Sequence, residues 1–343
     1  MKNKNILPVA LLILSACSNP RPEKGSDNFP LLEGIYLGQE LPGDTVKIFA
    51  PGIISTGMEE RDVAFVFDGR ELFFTRVIDS IYTILHTEET DGRWTEPEVA
   101  SFSGKYDDAE PIFSTRGRGL YFISNRPSEG KPYAKKDFDI WYTYKTMEGW
   151  MEPQPIGDPI NTEQTEFFPS VTNDGALYFG RYDAQGDRCD LYRSTRADGK
   201  FNKPEKLPEI INGPEYPFNA CISPDERYLV FCAIRSDSSF GQSDYYISFR
   251  DEDDNWSQPV NPGPEINTSG NEYSPHITPG GKYFFFATNG NPRQINDPAA
   301  LIDPRLQASA FSAGSLPGTG LPVNGSLDIY WIETHALLKR LRR

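Results

Sequence analysis

Three histidines and four cysteines in 343 residues leave little from which to build a metal centre or a disulfide framework. His86, His276 and His335 fall in separate parts of the chain with no ligand spacing, so neither a metal nor any other cofactor is expected. Positive charge is short as well: 34 Lys and Arg stand against 49 Asp and Glu, a formal net charge of −15. Phosphate recognition needs the opposite excess, which argues against a nucleic-acid partner; surplus acid instead keeps a chain soluble. No Gly-x-Ser-x-Gly elbow occurs, nor a hydrolase-sized segment at the C-terminal end. No apolar run approaches the ~20 residues of a membrane helix.

One short apolar run, Ile6 to Leu14, follows Lys2 and Lys4 and ends Leu14-Ser15-Ala16-Cys17. A basic start, an apolar centre and small residues mark Met1–Ala16 as a targeting segment. Its last four residues resemble the lipobox of bacterial lipoproteins, in which the Cys is acylated and becomes the first residue. That resemblance implies lipidation at Cys17 and a membrane partner through the anchor; an ordinary secretory signal with an incidental Cys is the alternative. Loss of Lys2 and Lys4 would take the charge from −15 to −17. Ser18, rather than Asp, favours the outer membrane of the cell envelope, on either its periplasmic or its surface side. Residues 17–43 are expected to be a tether followed by an edge segment, since Ser18–Pro30 is too polar to bury a core. Cys189, Cys221 and Cys232 remain, an odd number. Cys221 and Cys232 flank the turn Ser223-Pro224-Asp225-Glu226 and either meet across a hairpin or stay buried thiols; one residue of register decides.

What the chain has in abundance is punctuation and repetition. Gly and Pro number 29 each and aromatics reach 13%, which suits many strands joined by tight turns. Strands ending LFF, LYF, LYF, LVF and FFF close at Phe74, Phe122, Phe179, Phe231 and Phe286, intervals of 48, 57, 52 and 55 residues by subtraction. A period of about 50 with four short strands per unit predicts an all-β propeller, a single domain over 44–343. Asp68-Gly69, Asp174-Gly175 and Gly280-Gly281 supply the positive φ of hairpins between first and second strands. Unit two, with Arg116-Gly117-Arg118-Gly119, has one residue more there. Asp139-Ile140-Trp141, Asp190-Leu191-Tyr192, Asp244-Tyr245-Tyr246 and Asp328-Ile329-Tyr330 open third strands. Trp94, Trp150, Phe201 and Trp256, each with Pro three residues on, start outer strands and are expected to fill the space between blades.

The two ends complement each other. Asp44–Ser55 resembles the last-strand pieces before Thr162 and Thr268, while the fifth unit stops after Asp328–Ile332. Pairing the N-terminal piece with that strand closes a ring of five blades without an open edge; six, with one irregular blade, is the alternative. A long loop at 290–325, rich in Ala, Gly, Ser and Pro, interrupts the fifth unit as a flap or a disordered insertion. HALLKRLRR ends the chain as a short helix docked by Leu337, Leu338 and Leu341.

The repeats ISPDERYLVFCA (Ile222–Ala233) and ITPGGKYFFFATN (Ile277–Asn289), with the Asp-apolar-Tyr third strands, resemble the TolB-type, WD-like propeller repeats of exported bacterial proteins. Together with the lipobox they resemble lipoproteins common in Bacteroidetes-like bacteria. The resemblance implies fold and compartment; repeats of this type serve scaffolding, docking and recognition and also decorate peptidases.

Alternating strands put the start of each first strand and the end of each second strand on one face. Glu60, Asp108, Glu166 and Glu272 occupy the first position, and Arg76, Arg126, Arg181 and Arg235 the second. Unit four has Pro217 with Glu215 nearby, and unit five has Asn289 in place of Arg. This ring is either an ion pair structural to each blade or a surface that grips a partner, with a nearby Arg expected to lower each acid's pKa. Two functions follow: a non-catalytic, lipid-anchored module binding a protein or envelope polymer, which is favoured, or a glycan-active propeller with paired carboxylates at the channel mouth.

Overall fold

The computed structural model describes residues 29–114, 119–128, 137–183, 185, 188–213, 216–234, 239–290, 292 and 326–341. No helix among them is long and apolar enough to cross a membrane. Met1–Ala16, Cys17, Arg116–Arg118, Glu215, Arg235 and almost all of 290–325 lie outside the described residues.

Five small antiparallel sheets make five blades. The inner, second and third strands are Glu60–Phe65, Glu71–Ile78 and Ile81–Thr90 in blade 1, and Asp108–Phe113, Gly119–Ser124 and Asp139–Thr146 in blade 2. Blade 3 has Glu166–Val171, Leu177–Tyr182 and Cys189–Ser194; blade 4 has Tyr216–Ile222, Tyr228–Ile234 and Asp244–Phe249. Blade 5 has Glu272–Ile277, Tyr283–Thr288 and Asp328–Glu333. The inner strands touch in order around a circle, and that of blade 5 returns to that of blade 1. Closure comes from Lys47–Ile48, antiparallel to the last strand with Lys47 opposite Trp331 and Ile48 opposite Tyr330.

The outer strands are shorter than the repeat suggests. In blade 1 the outer strand is two fragments, Arg93–Trp94 and Glu98–Val99, on either side of Pro97. Blade 2 repeats this with Gly149–Trp150 and Gln154–Pro155 around Pro153. A proline has no N–H to give, so the edge strand breaks where it falls. Gly69, Gly175 and Gly281 take the positive φ that their hairpins require, at 69°, 92° and 70°.

Apolar side chains alternate into the spaces between blades, giving clusters between blades 1 and 2, across blades 2 to 4, between 4 and 5, and between 5 and 1. The last of these seams also takes in the N-terminal segment. Leu32, Tyr36 and Leu37 are buried there, and the Tyr36 ring lies 4.9 Å from Phe65 and 5.7 Å from Trp331. Trp94 donates its indole N–H to the Gly34 carbonyl at 2.7 Å, tying the segment to blade 1. At the other end the α-helix Thr334–Arg340 buries Ala336 and Leu337 against blades 4 and 5. All three described cysteines are buried free thiols. Register explains it: Cys221 faces Val230 and Cys232 faces Phe218, so the two never sit opposite each other.

Candidate functional site

In blades 1 to 3 each acid opens an inner strand and pairs with the Arg at or just past the end of the same blade's second strand, and both reach the loop arriving from the preceding blade. Glu60 accepts from the Arg76 Nε at 3.0 Å, Asp108 from an Arg126 terminal nitrogen at 2.6 Å and Glu166 from the Arg181 Nε at 2.7 Å. All three acids are fully buried. Each guanidinium also donates to a carbonyl of the preceding loop: Ile53 at 3.2 Å, Phe102 at 2.9 Å and Ile160 at 2.7 Å. The second acid oxygen is taken as well, by the backbone N–H of Thr56 at 3.2 Å or Thr162 at 3.0 Å, and by the Ser103 hydroxyl at 3.0 Å. These groups are latches between consecutive blades, and none offers a free oxygen to a ligand.

In four of the five blades a residue five positions before the acid position ties down the preceding third strand, and it escaped the sequence reading. Asn161 bonds both backbone groups of Ile140, at 3.0 and 2.9 Å, and Asn212 and Asn267 do the same for Leu191 and Tyr245. Ser55 serves Ile329 in the same way. The signal was present as Ile-Ser-Thr at 54–56 and Ile-Asn-Thr at 160–162 and 266–268. Blade 4 follows Ile211-Asn212-Gly213 and has Pro217 at the acid position, so the Thr donor and its acid are lost together.

Glu272 stands apart. Thr268 donates to it through N–H and hydroxyl at 2.9 and 2.6 Å and Thr288 at 3.0 Å, while its other oxygen is buried without a partner among the described residues. Asn289, in place of an arginine, accepts from the Asn271 N–H at 2.8 Å and never reaches the acid. Burial pushes Glu272 up to about 7, with the threonines only partly opposing it. The same cause takes Glu60 to about 7 against Arg76, and raises Asp108 and Glu166. The expectation that a neighbouring Arg holds these carboxyls low is therefore wrong: loss of hydration outweighs one partly buried guanidinium.

A second acidic group lies on the axis, where no repeat pattern pointed. Every inner strand carries a bulge whose residue adopts left-handed backbone: Asp62, Glu110, Phe168, Asn219 and Ser274, with φ of 58°, 57°, 50°, 44° and 57°. The bulge turns one additional side chain per blade inward. Arg61 bridges Asp62 at 2.8 Å and Glu110 at 2.9 Å. Asp62 also accepts from the Ser274 hydroxyl, and Glu110 from the Phe168 N–H at 2.5 Å. Burial raises Glu110 to about 8 although Arg61 opposes it. A cavity of ≈ 10 Å³ lies between this group and His276 and Cys221, room for one water.

Above it the mouth is aromatic. Arg61 lies 5.9 Å from the Tyr82 ring and 5.7 Å from that of Tyr273. Phe167 stacks on Tyr182 at 5.1 Å, and Phe218 packs on Tyr273 at 5.6 Å. Tyr182 and Tyr216 remain 36% and 39% exposed, enough for contact from outside.

These features define a five-bladed propeller with latched blades, an acid–Arg group on the axis and an aromatic mouth. No protein-family model matches the chain, and no curated protein matches it in sequence. Solved structures do resemble it. A protein assigned as TolB from Agrobacterium tumefaciens is 15% identical, with a TM-score of 0.45 over 70% of this chain and 73% of that one. TolB from Acinetobacter baumannii is 16% identical, with a TM-score of 0.43 over 67% of this chain and 49% of that one. The catalytic domain of a Coprinopsis cinerea GH62 α-L-arabinofuranosidase is 14% identical, with a TM-score of 0.43 over 85% and 97%. What is shared is the β-propeller fold.

Proposed function

We propose that this protein is an exported, lipid-anchored, non-catalytic binding module whose mouth takes a protein or envelope polymer. The observation that supports it is the accessible rings of Tyr182 and Tyr216 at the mouth, over an acidic pair already taken up by Arg61. Aromatic rims give contact area at low entropic cost, whereas a catalytic pair needs an acid and a base open to substrate. Asp62 and Glu110 are closed off by Arg61, Ser274 and the Phe168 N–H.

A Tyr182→Ala, Tyr216→Ala double variant should keep its melting temperature and lose capture of a partner from envelope extracts. Capture unchanged by that variant would move the working surface elsewhere. The glycan-active reading has one observation in its favour, the raised Glu110 carboxyl, a form suited to proton donation. Sugar release from envelope or plant glycans that disappears in Glu110→Gln would establish that reading and displace ours.

A further inference from the structure

A groove of ≈ 560 Å³ opens between blades 2 and 3, away from the mouth, with Tyr121, Tyr142, Gln154, Asp158, Arg196 and Phe201 among its walls. That volume falls within the range of small-molecule sites, about 300–1,000 Å³. Its origin is a local departure from the repeat. Blades 1, 2 and 4 carry Trp94, Trp150 and Trp256 at the start of the outer strand, whereas blade 3 has the smaller Phe201. In blade 3 the corresponding hairpin pairs Arg196–Ala197 with Lys200–Phe201 and continues the third strand, with the Asn202 N–H on the Thr195 carbonyl at 2.8 Å.

Charge is the second departure. Arg193 and Lys206 of this stretch are held by Glu226 at 2.6 Å and Asp190 at 2.9 Å. Arg196 and Lys200, on the groove, have no acid within ion-pair distance among the described residues, in a chain whose net charge is −15. Arg196 is nevertheless held in place. Its Nε donates to the Gly199 carbonyl at 3.1 Å and its guanidinium stacks on Phe201 at 5.1 Å. Tyr121 and Tyr142 line the same groove beside it. A planar fork fixed by stacking suits a carboxylate; flanking aromatic faces suit the C–H face of a sugar ring. Tyr142, Gln154 and Asp158 supply partners for ring hydroxyls.

We propose that the groove binds a carboxylate-bearing sugar, a uronic acid unit of an acidic saccharide, with Arg196 on the carboxylate and Phe201 and Tyr142 beside the ring. The site is independent of the mouth.

Calorimetric titration of the full chain with trigalacturonate and with its methyl-esterified, uncharged form tests this. Saturable binding of the acid, at least tenfold tighter than the ester, is expected. Arg196→Ala should weaken it at least tenfold. Phe201→Trp, which restores the ring present in the other blades, should fill the groove and weaken it similarly while the melting temperature holds. Tyr182→Ala at the mouth should leave it unchanged. Absence of binding, equal binding of acid and ester, or insensitivity to Phe201→Trp would each overturn the proposal, the last by showing that only surface charge attracts the anion.

Discussion

A carboxyl group inside a protein shows the balance between hydration and partners, and Glu272 shows it without an arginine to complicate the sum. Its folded pKa of about 7 lies above the ordinary 4.5 because burial removes water and only hydroxyl and amide donors replace it. The folded state then binds this proton more tightly than the unfolded state. Glu272 therefore contributes most below pH 4.5, and the contribution is lost as pH rises through 7. A tenfold gain in proton affinity corresponds to about 1.4 kcal/mol, so the effect is on the order of 3 kcal/mol at most. Glu272→Gln, which stays uncharged, should gain melting temperature over the parent chain at pH 8 and show little gain at pH 5. Parallel melting curves for the two proteins across that window would refute the assignment. Glu60 titrates in the same direction with Arg76 beside it, so only part of the slope should disappear.

At the scale of elements, ring closure depends on very little strand. Lys47–Ile48 contributes two residues of pairing, extended by the Phe49 N–H to the Ile329 carbonyl at 2.8 Å. Side chains do the rest. Phe49 packs 5.3 Å from Trp331 and 5.1 Å from Phe285, and Tyr36 fills the same seam. Losing a buried aromatic costs about 3–5 kcal/mol, more than so short a ladder supplies. A chain beginning at Ala50 should melt far lower, or self-associate through the bared edge of Asp328–Glu333, when followed by calorimetry and light scattering. A chain lacking only 18–28 should melt like the parent. Equal melting of the Ala50 chain would mean that blade 5 holds without its fourth strand.

For the whole molecule, the arrangement is a closed ring of five blades. With the acid–Arg pairs buried between blades, the mouth and the groove between blades 2 and 3 are two of the places where rings and charge stay accessible. The proposed lipid anchor makes a prediction at Cys17. Cys17→Ser should shift the protein from the membrane pellet to the soluble envelope fraction, scored by fractionation after a high-salt wash. Retention in the pellet would remove lipidation from the proposal and leave the mouth untouched.

Repetition made the fold legible from the chain alone. Glycine-bearing hairpin turns, Pro in the outer strands and a second strand carrying Phe in all five units are local rules that recur along the chain, although each second strand runs two to four residues past its Phe; the unfinished fifth unit beside the spare N-terminal strand required closure. The acid and Arg positions were legible for the same reason, as same-face neighbours in antiparallel strands. Their pairing was legible too, since Glu60 and Arg76, or Glu166 and Arg181, stand opposite each other in one hairpin; the raised carboxyls were not, because loss of water depends on the preceding blade's loop, which arrives only when the ring assembles. Tertiary structure alone also decided the axis. Asp62 and Glu110 reach it through a bulge that shifts register by one residue, and Arg61 meets both only because two blades converge there. A sequence period records what each blade does for itself; a site made where blades meet is set by distances that no single repeat contains.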